Sequence, residues 1–183
     1  TKPFVYMPFY PGPGIGGQCI PIAPIYLARK AEESGVKPEF IELAAKINQS
    51  MSDYIINKLR NALKEESLKE KEILIVGIAY KKNISDQRES PAFPLMKKLH
   101  ELGAKISFHD PEIPKILPNR RYPEFEGLEA IDLSAQNIKG FDAVIIITDH
   151  DNVNYDVFDV SDVPIIDTRN LFKNSGAPNI IKA

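Results

Sequence analysis

A single cysteine follows a segment rich in glycine and proline near the start of the chain. The segment reads PGPGIGGQCIP over residues 11–21, with Cys19 two positions after Gly17. Closely spaced glycines let the backbone approach a ligand and leave amide groups free to donate hydrogen bonds. A cysteine beside such a loop could serve as a nucleophile through its thiolate. The alternative is a small buried apolar side chain, the usual role of an unpaired cysteine, and the residues alone leave both interpretations open.

A second chemically distinctive segment is basic. It reads GIAYKKNISDQRESP over residues 77–91 and contains Lys81, Lys82 and Arg88. Cations that follow a buried parallel strand are well placed to bind phosphate oxygens. With Gly77 as its one glycine, the segment is not a G-x-G-x-x-G fingerprint, so we do not expect it to cradle a dinucleotide. The alternative is a solvated loop with ordinary surface charges.

Two further polar segments end predicted strands, TDHD at residues 148–151 and DTRN at residues 167–170. His150 between aspartates suggests a metal ligand, but its spacing matches no common zinc pattern, and we predict no metal site. Arg169 could form an ion pair within the fold or bind a phosphate. His100 and His109 are expected to be structural.

The elements that must position these residues form an alternating pattern. Apolar runs predict strands at residues 72–80, 104–110, 141–150 and 163–170, with a further short strand near residues 124–130. A helix from Ser90-Pro91 to Gly103 separates the first two strands. This order predicts an α/β fold with a doubly wound parallel sheet. Because the carboxyl ends of parallel strands meet at one edge, the polar segments should come together there.

Two helices are predicted before the sheet. Residues 1–22 are expected to be a loop, with Pro24 at the first position of a short helix that covers residues 25–34. A longer helix should run from Glu39 to Glu66, because apolar residues recur every three or four positions: Phe40, Ala44, Ile47, Met51, Ile55, Leu59 and Leu63. At about 40 Å it is longer than the other elements can cover, so part of its apolar face is expected to pack on a symmetric partner subunit.

The chain therefore divides into a helical segment, about residues 1–68, and a doubly wound α/β domain, about residues 69–183. It opens without a methionine in an irregular loop, and such loops are normally held by elements on both sides. We therefore expect the sequence to be part of a longer protein.

Composition excludes several classes of function. The formal net charge is −2 over 183 residues, which gives no electrostatic footprint for nucleic acid or an anionic membrane. No apolar run approaches the roughly 20 residues of a membrane span, and residues 1–10 do not resemble a signal peptide. One cysteine fits a reducing compartment. We expect a soluble, cytoplasmic protein.

These motifs are similar to those of the UDP-glucose/GDP-mannose dehydrogenase family. Residues 12–21 resemble the family's Gly-Gly-x-Cys loop, and residues 73–91 resemble its Gly-x-Ala-(Phe/Tyr)-Lys-x-x-x-x-Asp-x-Arg-Glu-Ser signature. His109–Pro111 resembles the Asp-Pro that follows. The resemblance covers essentially the whole chain. Within the family, residues 9–31 and 77–83, TDHD and the final IIKA are similar to UDP-N-acetylglucosamine 6-dehydrogenases, which supply uronic-acid precursors for surface polysaccharides.

The resemblance implies a reaction. An NAD-dependent enzyme of this family oxidises the C6 alcohol of a UDP-sugar to a carboxylate in two hydride transfers. The cysteine attacks the intermediate aldehyde, and the resulting thiohemiacetal is oxidised to a thioester that water hydrolyses. Cys19 matches this nucleophile.

The resemblance also implies roles in binding. The residues that match the family's substrate contacts are Tyr10, Gly14, Gly16, Tyr80, Lys81 and Arg169. Tyr10 to Gly16 matches the loop that wraps the sugar nucleotide, and Arg88 matches an arginine that reaches the NAD pyrophosphate. The long helix resembles the central helix of the family's dimer interface. The expected substrate is a UDP-N-acetylhexosamine or UDP-glucose, and the α/β part is expected to be a Rossmann-like UDP-binding domain.

The sequence departs from the family at three points. The amino-terminal NAD-binding domain and its catalytic residues are missing, so we expect this chain alone not to turn over. Ala23 stands where the family usually has an aspartate that assists the hydrolytic water; an aspartate before Pro24 would also cap the helix, at a cost of about 1 kcal/mol when lost. Gln18 replaces a histidine common in the closer group. The alternative hypothesis is therefore a non-catalytic module that binds a nucleotide sugar or only dimerises.

Overall fold

The computed structural model describes residues 10–158 and 161–183, and its first helix, α1, spans Cys19–Glu33. The prediction that residues 1–22 are a loop was wrong for residues 19–22, and residues 1–9 lie outside the described part. Pro21 is the third residue of α1, where no intrahelical donor is needed, so it is compatible with an earlier start. Pro24 lies inside the helix rather than at its first position, and the N-cap is Gln18. The capping cost expected at Ala23 therefore does not apply.

The long helix, α2, spans Glu39–Leu63 and ends where Lys64 adopts a left-handed φ of 56°. Its two halves differ in environment. Ile55, Ile56 and Leu59 are buried against the rest of the chain, whereas Phe40 is 89% exposed. Further large apolar side chains of α1, of the turn after it and of α2 are exposed: Ile22, Ile25, Tyr26, Leu27, Val36, Leu43 and Ile47. The prediction that the helix presents an apolar face beyond the reach of the other elements was correct.

The second part of the chain is a five-stranded parallel sheet. Its strands are β1 (Glu72–Val76), β2 (Lys105–His109), β3 (Ala143–Ile146), β4 (Ile165–Asp167) and β5 (Ile180–Lys182). They are ordered β2-β1-β3-β4-β5, and every neighbouring pair is parallel. This is a doubly wound order, and the predicted Rossmann-like α/β class is confirmed.

Alternate side chains of each strand point to opposite sides of the sheet, and both sides are covered by other elements. On one face, Ile73 and Ile75 of β1 pack with α2 and with helix α3 (Ala92–Glu101). On the other, Leu74 and Val76 pack with the short helix α4 (Ala135–Ile138) and a 3₁₀ helix over Tyr155–Phe158. The core of the chain therefore lies on the two sides of β1 and β3.

Each predicted strand ends earlier than its apolar run. β1 stops at Val76 rather than Tyr80 because Gly77 turns the chain at a φ of 81°. Beyond this point, side-chain oxygens replace the neighbouring strand as hydrogen-bond acceptors: the amides of Ile78 and Ala79 donate to Asp110. The sheet therefore gives way to loops at the edge where the polar segments lie.

Two elements differ from expectation. The prediction of a short strand near residues 124–130 was wrong. This region forms a 3₁₀ helix over Pro123–Phe125, and Glu129 forms an antiparallel bridge with Lys115. The fifth strand, β5, was not predicted. Within the described residues, no helix has the length and apolar character needed to cross a bilayer.

Gly77 gives a test of this edge of the fold. A Cβ atom there would lie 2.2 Å from the carbonyl oxygen of Thr148, and an alanine would also retain a left-handed φ. Gly77→Ala is expected to lower the free energy of unfolding by about 2–4 kcal/mol, measured by urea denaturation. Gly176→Ala is the control, since no atom lies within 4 Å of the added carbon. Equal effects of the two substitutions would contradict this assignment.

Candidate functional site

Residues 11–18, the glycine-rich loop that precedes α1, pack against the loop that follows β1. A Cβ atom at Gly16 would lie 2.6 Å from Cβ of Tyr80, and one at Gly17 would lie 2.9 Å from Cε2 of its ring. Pro91 lines the same contact, 2.9 Å from a Cβ atom at Gly14. Side chains at these three positions would therefore push the loop away from Tyr80 and the start of α3.

The same loop reaches the loop that follows β4. A Cβ atom at Gly12 would lie 2.6 Å from Nη1 of Arg169. The glycine-rich loop thus crosses the carboxyl edge of the sheet, from Arg169 at one end to Tyr80 at the other. Tyr10, at the start of the described chain, is 80% exposed.

Cys19 follows this loop directly. It is exposed and is the first residue of α1. Only Gln18 separates it from Gly17, a span of at most about 7 Å, so its backbone lies close to the ring of Tyr80. The first amides of a helix have no intrahelical acceptor and can donate hydrogen bonds to an anionic oxygen. The structure therefore brings the start of α1, where Cys19 lies, to the loop after β1.

Asp110 is the most heavily hydrogen-bonded side chain at this edge. It follows β2 and is 3% exposed. Oδ2 accepts the amides of Ile78 and Ala79 at 2.7 and 2.9 Å, and Oδ1 accepts the amides of Glu112 and Ile113 at 2.9 and 3.1 Å. Burial raises the pKa of Asp110, but hydrogen bonds from His150 and from backbone amides outweigh it, and the pKa lies below its ordinary value.

His150 is fully buried between two loops. Its Nε2 lies 3.2 Å from Oδ2 of Asp110, and its Nδ1 lies 3.0 Å from the backbone nitrogen of Asn83. An imidazole with its proton on Nε2 satisfies both contacts, because Nε2–H donates to the carboxylate and Nδ1 accepts the amide. Both ring nitrogens are thus engaged, and among the described residues no cluster of three or more His, Cys, Asp or Glu side chains could hold a metal ion.

Arg169 is largely buried at the opposite end of the edge. Its Nε donates to the carbonyl oxygen of Ile147 at 2.8 Å, and Asp149 lies 3.7 Å away. Burial lowers the pKa of Arg169, and Asp149 partly offsets this effect. Asp167 fixes the turn by accepting the amides of residues 169, 171 and 172. A partly desolvated guanidinium is a favourable partner for a ligand anion.

The basic side chains of the loop after β1 differ in whether they form ion pairs within the chain. Lys82 pairs with Asp151 at 2.8 Å, and Arg88 pairs with Asp86 at 2.7 Å, which lowers the pKa of Asp86. Lys81 is exposed between Tyr80 and this paired lysine. Arg88 is also exposed, but it lies on the far part of the loop. Of the two lysines of this loop, Lys82 is engaged in an ion pair, whereas Lys81 forms none with a described residue.

Sequence reasoning did not identify Asp110 and His150 as the pair that organises this edge. Asp110 was noted as a strand end, and His150 was considered only as a metal ligand. A signal was available, since an aspartate directly after a buried strand can accept the amides of the neighbouring loop. Its five partners, however, lie 2 to 40 residues away in the sequence.

Comparison with known proteins adds independent information. The chain matches two family models: the UDP-binding domain of the UDP-glucose/GDP-mannose dehydrogenase family over residues 74–174, and the central domain of the same family over residues 1–50. A UDP-N-acetyl-D-mannosamine dehydrogenase of Methanococcus maripaludis is 32% identical over 173 residues, which is 90% of this chain and 37% of the relative. An NDP-N-acetyl-D-galactosaminuronic acid dehydrogenase of Ralstonia solanacearum is 30% identical over 88% of this chain and 36% of its own length.

Solved structures agree with these matches. The structure of a UDP-D-ManNAc dehydrogenase from Pyrococcus horikoshii superimposes with a TM-score of 0.74 at 26% identity, covering 98% of this chain and 40% of that protein. The chain thus spans about two-fifths or less of the length of these relatives. On the matched domains, the sequence identity and the shared fold, this chain belongs to the UDP-glucose/GDP-mannose dehydrogenase family.

Proposed function

We propose that this chain carries the substrate-binding half of an NAD-dependent nucleotide-sugar 6-dehydrogenase. In this proposal Tyr80 and Lys81 bind the UDP moiety, Arg169 contacts its phosphates, and Cys19 is the nucleophile. The observation that supports the proposal is the packing of the glycine-rich loop, which Cys19 directly follows, on Tyr80 and Arg169 in the region that matches the UDP-binding domain. Residues 1–68 would form the cysteine loop and dimerisation segment, and residues 69–183 the UDP-sugar-binding domain.

The loop itself has a role in this proposal. Tyr10, Gly14 and Gly16 would line the sugar nucleotide, with the glycine backbone close to the ligand and Tyr10 exposed to meet it. The proposed substrate is a UDP-N-acetylhexosamine or UDP-glucose. The relatives named for N-acetyl-D-mannosamine and N-acetyl-D-galactosaminuronic acid support an N-acetylhexosamine.

The described residues do not fit a dinucleotide cradle. The turn after β1 has one glycine, and the amides of Ile78 and Ala79, which could face a pyrophosphate, are already occupied by Asp110. Arg88 is the candidate contact to NAD from this chain. We therefore propose that NAD binds mainly to a domain outside this sequence.

The chemistry assigned to Cys19 is nucleophilic. Its sulfur would form a bond to C6 of an aldehyde, and the carbonyl oxygen would take up a proton to give a thiohemiacetal. During attack, the free amides at the start of α1 could stabilise the negative oxygen. Oxidation of this adduct to a thioester would need a hydride acceptor, which NAD bound to the domain outside this sequence would supply. Attack by water at C6 of the thioester would then release the carboxylate and the thiol. The covalent bond would retain the aldehyde between the two oxidations.

One observation favours the non-catalytic alternative. Because α1 begins at Cys19, Ala23 lies one helical turn after the cysteine, on the same side of the helix. An aspartate at this position, as the family usually has, would stand beside the thioester and could hold the hydrolytic water. Alanine supplies no acceptor. A module that binds the nucleotide sugar without completing the reaction is therefore the second candidate.

Dimerisation is proposed through the exposed apolar face of α1 and α2. Phe40, Leu43 and Ile47 recur at helical spacing on the half of α2 that the rest of the chain leaves exposed. Large exposed apolar patches mark interaction sites in folded proteins. A second copy of the same helix would bury this face symmetrically.

The first prediction concerns UDP binding. Isothermal titration with UDP-N-acetylglucosamine should show binding that weakens about tenfold on Lys81→Ala, because one charge-assisted phosphate contact is lost. Lys139→Ala is the matched control, since this exposed lysine follows α4, away from the proposed site. NAD should produce little heat. No detectable binding of UDP ligands at millimolar concentration would refute the proposal that this chain binds the UDP moiety.

The second prediction concerns Cys19. Mixing the chain with the separately produced cofactor domain of a full-length relative should restore NADH formation from the UDP-sugar, and Cys19→Ser should abolish it. The cofactor domain alone provides the background rate. Wild-type turnover by Cys19→Ser would exclude the nucleophile role, and no NADH with the unsubstituted chain would favour the non-catalytic module.

The third prediction concerns assembly. Sedimentation velocity should show a dimer that Phe40→Asp dissociates, because a carboxylate would be buried at the proposed interface. Leu117→Asp changes an equally apolar side chain, 62% exposed, that lies outside both helices, and should leave the dimer intact. A monomeric wild-type chain, or equal dissociation by both substitutions, would contradict the assignment.

A further inference from the structure

The Tyr80–Lys81 pair sits in a short backbone span whose two ends are tied to the same buried pair of side chains. At the first end, the amides of Ile78 and Ala79 donate to Asp110. At the second end, the amide of Asn83 donates to Nδ1 of His150. Asp110 and His150 contact each other at 3.2 Å. The two anchors are therefore one unit.

The second anchor holds a residue with a left-handed backbone. Asn83 has a φ of 62°, a conformation that asparagine adopts more readily than most residues with a side chain. Its side-chain amide and carbonyl both pair with Asp151, at 2.6 and 2.9 Å. Those contacts are exposed, whereas His150 has no exposed surface. The bond from the Asn83 amide to His150 is therefore the contact of this group most protected from competition by water.

The carboxylate of Asp110 selects the imidazole form that can make this bond. Nε2 must carry the proton to donate to Oδ2, which leaves Nδ1 as the acceptor that Asn83 requires. If Asp110 were neutral or displaced, the other tautomer would present a donor to the Asn83 amide. Asp110 thus sets the tautomer of His150, and that tautomer in turn determines whether the Asn83 amide can hydrogen-bond to the ring and hold the loop that carries Lys81.

We propose that Asp110 and His150 are positioning residues for nucleoside-diphosphate binding: they hold the Tyr80–Lys81 span in its binding conformation before the ligand arrives. The proposal rests on the proposed function, in which this span contacts UDP. A loop ordered in advance loses less conformational entropy on binding, so the anchors should raise affinity although neither side chain contacts the ligand.

Two substitutions at His150 separate its two hydrogen bonds. Asparagine carries its side-chain polar atoms at the position of Nδ1 and can accept the Asn83 amide, whereas glutamine carries them near Nε2 and can donate only to Asp110. His150→Gln should increase amide hydrogen exchange at Asn83 at least about tenfold and weaken UDP binding about fivefold. His150→Asn should rescue both properties toward the wild-type values. His100→Gln, at an exposed histidine of α3, controls for histidine loss.

A measurement on the unsubstituted chain keeps the test independent of folding. Nitrogen-15 NMR of the histidine rings should show His150 with its proton on Nε2, and a proton on Nδ1 would overturn the proposal. UDP binding with equal affinity in the asparagine and glutamine variants would overturn the positioning role alone. A wild-type chain that binds no UDP would overturn both this role and the proposed function.

Discussion

The carboxyl edge of this sheet depends on a single buried carboxylate. An ionised carboxylate inside a protein is costly unless hydrogen bonds replace its hydration, and Asp110 obtains five of them from three loops. The loops after β1, β2 and β3 are thereby fixed relative to one another. The amides after β1, which in many nucleotide-binding sheets face a phosphate, are used internally. These two amides are therefore not available to an external anion, and in the proposed function the side chains of Lys81 and Arg169 bind the phosphates instead.

The glycines of the glycine-rich loop have a packing role that the sequence did not reveal. Their spacing first indicated a backbone exposed to a ligand. In the structure, Gly12, Gly14, Gly16 and Gly17 each lie where an added Cβ would come within 2.9 Å of Arg169, Pro91 or Tyr80. The loop can approach the sheet edge only because these side chains are absent. Glycine is thus needed on the protein side of the loop, whichever ligand lies on the other side.

The fold could be predicted because the strands are buried on both faces and their apolar runs, such as Ile73–Val76, are continuous. Their ends could not, because they are set by side chains distant in sequence, as with Asp110 and the amides after Val76. β5 has three residues and carries too little pattern to distinguish it from a loop. The start of α1 was missed because Pro21 and Pro24 outweighed its helical pattern, although Pro21 is harmless in the first turn.

The sequence predicted which polar residue types follow the strands. It did not predict that α1 begins at Cys19, and this start changes how Ala23 is interpreted. In the sequence, Ala23 stands where the family usually has an aspartate that assists the hydrolytic water, and its loss was also expected to uncap the helix. Once Cys19 is the first helical residue, position 23 becomes its neighbour one turn on, beside the thioester that the proposed chemistry would form. The substitution then bears on deacylation rather than on folding. Under the proposed chemistry, a thioester with no adjacent carboxylate would be hydrolysed slowly. A chain with alanine at position 23 would then bind the substrate and become acylated without efficient turnover.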